Sequence, residues 1–240
     1  MRSKYSLLFA LCAAILAACS GGNAPPPVDP AIAAKAAAEA KANKEAALYE
    51  QMRQNGSWDL AVSLGSEVLA NFPGTAAAAR VQQTIDETRT KAEVIANTRR
   101  LAQLWSYTAT AEDGGTQYAA AIASKQAPNQ PNARLRLVLR QHPKWGRSVY
   151  LLLDNATFDC KGGCATLPVS FDDGKPQRMK ATVPPTGEPA LFIDDDKGFI
   201  AKMEKAKTVD VGVKLKGIGE FNAEFEVGGF VADKWMPARK

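Results

Sequence analysis

The chain has 240 residues, enough for one domain or two small ones, and 46% of them are hydrophobic, so a core can be built. Its formal charge is +5, from 30 basic and 25 acidic residues. That is an ordinary balance for a folded domain, without the one-sided charge that points to nucleic acid.

The first element is a targeting pattern. Arg2 and Lys4 precede an apolar run from Leu7 to Ala18, which is shorter than the roughly 20 residues that a membrane span needs. The run ends in Leu16-Ala17-Ala18-Cys19, which resembles the lipobox of bacterial lipoproteins. The resemblance implies a signal peptide over residues 1–18, a cut between Ala18 and Cys19, and acylation of the Cys19 thiol. The membrane is then the first implied partner. In such lipoproteins the residue after the lipidated cysteine influences sorting; Ser20 is not the aspartate that retains them at the inner membrane. The implied location is the periplasmic face of the outer membrane.

Residues 19–30 read as a tether, with Gly21 and Gly22 for flexibility and Pro25-Pro26-Pro27 for an extended spacer. From Ala31 to Gln54, alanine with interspersed Lys, Glu and Gln predicts a helix, and neither Gly nor Pro interrupts it. Its first half, to Ala42, is apolar only through alanine and Ile32 and can bury little area. Ser57 is positioned to cap a second helix that runs to Phe72 and is stopped by Pro73-Gly74. Thr75 can cap a third, from Ala76 to about Leu104. Helix, short turn, helix is an αα-hairpin pattern.

Leu48, Ala61 and Pro73, with Val68-Leu69-Ala70-Asn71-Phe72-Pro73-Gly74-Thr75, are similar to a tetratricopeptide repeat over about residues 44–80. The pattern is departed from at Glu45, Tyr49 and Gly65, where Trp, Gly and an aromatic are usual. Since about three repeats are needed for a stable solenoid, a single hairpin must pack on itself, on the next domain or on a partner. A generic helical stalk fits equally well.

Beyond Trp105 the sequence changes to short alternating segments bounded by turn residues. They are 104–111, 116–124, 134–140, 148–153, 165–171, 177–183, 190–193, 209–215 and 220–227, which is the rhythm of an antiparallel β-sandwich. Lys197 to Lys207, with Phe199, Ile200 and Met203 on one face, predicts a single short helix against the sheet. The expected fold class is therefore α+β, with a helical region over 31–104 and a β-sandwich domain over 105–240. The segments around Cys160, Cys164 and Gly198-Phe199 are also faintly similar to the invasion-associated locus B family. That resemblance carries core and turn residues and no catalytic ones.

Of the four cysteines, Cys12 leaves with the signal and Cys19 takes the lipid, so Cys160 and Cys164 are the pair in the exported body. An oxidising periplasm favours a disulfide clipping a turn. The rivals are a redox pair, which normally shows C-x-x-C spacing, and half of a zinc site, which wants about four ligands. His142 is the single histidine, and between Gln141 and Pro143 it reads as a loop residue. Asp194-Asp195-Asp196 invites calcium, but Phe199 and Lys205 stand where an EF-hand loop needs Gly and Glu, so capping of the following helix is the expectation.

No nucleophile elbow, Walker loop or dinucleotide fingerprint occurs, and no catalytic residue, cofactor or metal is expected. Arg134, Arg136 and Arg140 alternate with apolar residues and should line the wet face of one strand, with Lys144 and Arg147 nearby. Such a stripe suits an acidic protein or an anionic glycan, although charge protecting a solvated sheet edge is the commoner reason for one. The expectation is a non-enzymatic, periplasm-facing lipoprotein that binds or scaffolds another envelope protein. The alternative is an inhibitor or immunity protein that plugs a cell-wall hydrolase with its loops. A glycan-modifying enzyme would need a deep cleft with two convergent carboxylates.

Overall fold

In the computed structural model the described residues are 29–161 and 163–236. The expected signal peptide, the lipobox with Cys19 and nearly all of the tether lie outside them. Three helices come first: α1 (Pro30–Gln54), α2 (Trp58–Asn71) and α3 (Ala76–Gln103). The sequence dictates their starts. Pro30 occupies the first turn of α1 and the Asp29 carboxylate accepts from Ala31 N at 2.8 Å. Thr75 Oγ1 accepts from Ala78 N at 3.1 Å to start α3. Ser57 stands at the α2 cap position but makes no side-chain capping bond.

The alanine-rich first half of α1 is helical, exposed through Ala37, half-buried at Ala38 and Glu39, and anchored by a contact the sequence did not announce. The Glu39 carboxylate accepts from Ala76 N and Ala77 N at 3.1 and 3.2 Å, adding a charged cap to α3 across the bundle. The helices share a core of Tyr49, Val68, Val81, Ile85 and five alanines. Gly65 is central to it. A Cβ there would stand 2.6 Å from Ile85 Cδ1 and 2.8 Å from Tyr49 Cε2, so the missing side chain lets the Tyr49 ring lie against α2. Tyr49 and Gly65 thus exchange the large and small residues that the repeat pattern would place at these positions. The Tyr49 hydroxyl is satisfied by Thr84 and Thr88 of α3 at 2.8 and 2.9 Å.

Nine strands follow, in the places the alternation predicted: β1 (Trp105–Glu112), β2 (Gly115–Ala123), β3 (Arg134–His142), β4 (Gly146–Asp154), β5 (Thr166–Phe171), β6 (Gln177–Thr182), β7 (Ala190–Ile193), β8 (Val209–Leu215) and β9 (Gly219–Phe225). They form one open antiparallel sheet in the order β1-β2-β3-β4-β7-β6-β5-β8-β9. It resembles a sandwich because β6 serves both halves: Gln177 to Lys180 pair with β5, and Ala181 and Thr182 pair with β7. The inward residues of both halves therefore meet in a single core, from Leu137 and Leu151 on one side to Val211 and Phe225 on the other.

Helix α4 (Asp196–Met203) closes one end with Phe199, Ile200 and Met203 buried, as its apolar face requires. It is not the sole helical element of this region, because a 3-10 turn (Val227–Gly229) and a short α5 (Ala232–Trp235) follow β9. The reason is packing: Trp235 is buried, and the Trp105 and Phe230 rings pack at a tilt with centroids 5.0 Å apart.

The same segment receives the helical region. Arg100 donates through both Nη atoms to the Glu226 carboxylate at 2.8 and 3.0 Å. A Cβ on Gly229 would collide with the Leu101 backbone, so glycine is what admits the last turn of α3. Of the two sheet edges, β9 is partly covered by Lys125 N donating to Glu224 O at 2.8 Å, whereas Thr108 to Glu112 of β1 are exposed.

Candidate interaction surface

Antiparallel register decides which side chains share the outer face of the sheet. Val138 faces Ala121 on one side and Tyr150 on the other, and Tyr150 faces Phe192. Arg140 lies one row away, opposite Ala119 and Ser148. Arg134, Arg136 and Arg140 do share one face, as their alternation predicted. They do not protect an edge, because β3 sits inside the sheet between β2 and β4. Arg136 and Arg140 are each held by a side chain of the neighbouring strand β4.

Arg140 Nε donates to Ser148 Oγ at 3.2 Å. Its guanidinium carbon lies 5.3 Å from the Tyr150 ring centroid, 5.7 Å from that of Trp145 and 5.9 Å from that of Phe192. Tyr150 and Phe192 stack at 4.9 Å. Burial pushes the Tyr150 phenol above its ordinary pKa, with Arg140 and Arg136 pulling the other way. Arg136 Nη2 donates to Asp154 at 2.9 Å and Arg147 Nε to Asp196 at 2.6 Å, while Lys144 pairs with Asp113.

Trp145 is the exposed member, with 72% of its surface in solvent. It occupies the β3–β4 turn and is fixed there by His142, whose ring stacks on it at 3.9 Å. His142 ends β3 and is buried, which corrects the expectation of a loop residue. Its Nδ1 accepts from Lys144 N and Trp145 N at 3.1 and 3.3 Å, so the ring braces the turn. Beside these residues a groove of about 190 Å³ is lined by Ser106 and Thr108 of β1, Ala119 and Ala121 of β2, Arg136 and Val138 of β3, and Tyr150 and Leu152 of β4.

The other expected positions have structural uses. Cys160 and Cys164 are joined with their sulfurs 2.08 Å apart, closing the predicted short loop. The three aspartates separate: Asp194 accepts from Thr182 Oγ1 at 2.7 Å, Asp195 caps Gly198 N at 2.9 Å, and Asp196 holds Arg147. Among the described residues no group of three or more His, Cys, Asp or Glu side chains could hold a metal ion. Asp172, in the turn after β5, accepts from Lys207 N and Thr208 N at 2.7 and 3.0 Å and so ties down the approach to β8.

Two further openings are wide. One of about 600 Å³ is lined by Asn132, Arg134, Asp154 and Asn155. Another of about 450 Å³ lies beside Cys164, with Arg178, Lys214 and Glu220 at its rim. Trp145 and Tyr150 had weak signals in the sequence, namely an aromatic between Pro143 and Gly146 in a turn and an aromatic of the same parity as Ser148. Phe192 joins them only through the register of β4 with β7.

No family model matches the chain, and no curated protein matches it. Among solved structures it is similar to the crystal structure of invasion associated protein b from Bartonella henselae, at 16% identity and a TM-score of 0.35. That match covers 53% of this chain and 86% of that one. At that TM-score it is a weak neighbour. Among the described residues no helix is long and apolar enough to cross a membrane.

Proposed function

We propose that this protein is a lipid-anchored component of the cell envelope that faces the periplasm and binds or scaffolds another envelope protein, with no catalysis of its own. The observation that supports this reading is the outer face of β3, β4 and β7, where Arg140, Tyr150, Phe192 and the exposed Trp145 converge. Arginine with large aromatics is the side-chain set that concentrates binding energy at protein interfaces. Cys19 supplies the anchor, Ser20 directs it to the outer membrane, and the tether with α1–α3 spaces the sheet from the bilayer. The α1–α2 pair serves as a tetratricopeptide-like stalk that packs on its own third helix in place of further repeats.

Capture from cross-linked envelopes tests the reading. The full chain should retain a defined envelope protein, and Trp145→Ala should reduce that capture severalfold while leaving the outer-membrane fractionation unchanged. Capture that is equal for both chains would remove this face from the function. Recovery of the protein in the inner membrane would overturn the assignment of location.

A further inference from the structure

We propose that Arg140 is the receptor for a carboxylate on an acidic segment of the protein partner, with Trp145 as the platform for the group next to it. This rests on the reading of the outer face as a protein-binding surface, and it specifies the chemistry of what binds there.

Charge pairing leaves Arg134 and Arg140 of this face without a carboxylate among the described residues, and what holds each guanidinium separates the two. Three neighbouring cations already have their anions: Arg136 has Asp154, Arg147 has Asp196, and Lys144 has Asp113. Arg140 pairs with none of the carboxylates of the described residues, and the remaining residues, 1–28, 162 and 237–240, contain no Asp or Glu. Its guanidinium is nonetheless held in one place, by Nε donating to Ser148 and by three aromatic rings within 6 Å. A guanidinium held this way gives up little rotamer freedom on binding, and its planar fork matches a carboxylate through two parallel N–H bonds.

The surroundings favour a peptide over a sugar acid. The adjoining groove presents methyl groups from Ala119 and Ala121 and single hydroxyls from Ser106 and Thr108, without the carboxylate or carboxamide that would hold the hydroxyls of a sugar ring in pairs. Small side chains leave room instead for the side chains of an extended acidic segment.

The test titrates the full chain with a hexaglutamate peptide at low ionic strength, following the Arg140 Nε–Hε resonance and the tryptophan emission. Saturable binding should move both signals. Arg140→Ala should weaken it about tenfold or more, and Arg140→Lys should restore only part of that, because the charge returns without the fork. Arg134→Ala is the control, since it removes the same charge from the same strand and face; it should change affinity less than about twofold. Equal losses in Arg134→Ala and Arg140→Ala would overturn the proposal in favour of diffuse attraction. So would an unmoved Arg140 resonance, or Arg140-dependent binding of oligogalacturonate in place of hexaglutamate. If hexaglutamate fails while capture of an envelope protein still depends on Trp145, the carboxylate receptor is refuted and the binding surface stands. If no envelope protein is captured at all, the broader reading falls with it.

Discussion

The helical region and the sheet bury different kinds of core. Among the described residues, five of the nine members of the helical core are alanine, with Tyr49 as the one large aromatic. The sheet core is built from Leu, Ile, Val, Phe and Trp side chains, with alanine at only four of twenty-nine places. The helices gain stability by approaching closely, as Gly65 against Tyr49 shows, and the sheet gains it by filling volume between its two halves. The first core should therefore suffer most from added atoms and the second from removed ones.

Leu151→Ala puts the second half of that contrast to its strongest test. Leu151 is fully buried, paired with Leu137 and Leu191 across neighbouring strands. Removing its side chain should cost about 2–5 kcal/mol, from lost transfer energy and the cavity left behind. Chemical denaturation should report the loss, and hydrogen exchange should place it in β3, β4 and β7. If α1 and α2 amides lose protection to the same extent, the two regions unfold as one unit and the contrast is only compositional.

Gly65→Ala tests the other half with a smaller effect. Alanine favours the helix by about 1 kcal/mol over glycine, but overpacking against Ile85 and Tyr49 costs about 1–3 kcal/mol. A net loss confined to α1–α3 is expected, and Ile85→Val in the same chain should recover part of it, because the closest contact is to Ile85 Cδ1. A Gly65→Ala chain as stable as the original would show that α2 can back away from Tyr49, so that close approach does not hold the helices together. Gly229→Ala is the matched change at the joint. Its clash is with the Leu101 backbone, so α3 must shift, and the exchange of amides near Leu101 should rise while those around Tyr49 stay protected.

What the sequence disclosed follows the same divide. All nine strands were legible because each is short, alternating and ended by turn residues, and period two leaves one register per buried face. The helix limits were legible from Pro30, Thr75 and the Pro73-Gly74 stop. An open sheet in place of a closed sandwich was not, because β6 changes partners between Lys180 and Ala181, and nothing in Gln177 to Thr182 marks that point. The candidate surface was legible by half. Alternation placed Arg136 and Arg140 on one face, but Tyr150 and Phe192 join them only through cross-strand pairing. The burial of His142 was hidden for a related reason: Gln141, Pro143 and Lys144 beside it in sequence read as a turn, while the Trp145 ring that stacks on it reaches back across that turn.

The smallest effect concerns the salt link that ties the two regions together. The Arg100 hydrogen bond holds the Glu226 carboxyl below its ordinary pKa; partial burial opposes this, and the charges of Arg100 and Lys125 add to it. A carboxyl lowered in the folded state stabilises fully above its unfolded pKa, near 4.5, and the contribution is lost as pH falls through the folded value. Asp210 works in the opposite sense. Burial, aided by the charge of Glu224, raises its pKa, so the cost of keeping it ionised is relieved as pH falls through its folded value toward its unfolded one. The two oppose each other in wild type, and the acid side of a stability profile alone cannot separate them. Arg100→Ala does, because the Asp210 contribution is common to both chains and cancels in their difference. That difference should be present at pH 6 to 7 and shrink below about pH 4.5 as Glu226 protonates. With Arg100 half exposed it should also shrink in 1 M salt, and it should be read by exchange at the end of α3, because an exposed pair contributes little to the global melt. A difference that persists at pH 3 would mean that Arg100 holds the joint through the packing of its stem on the sheet domain rather than through the charge of Glu226.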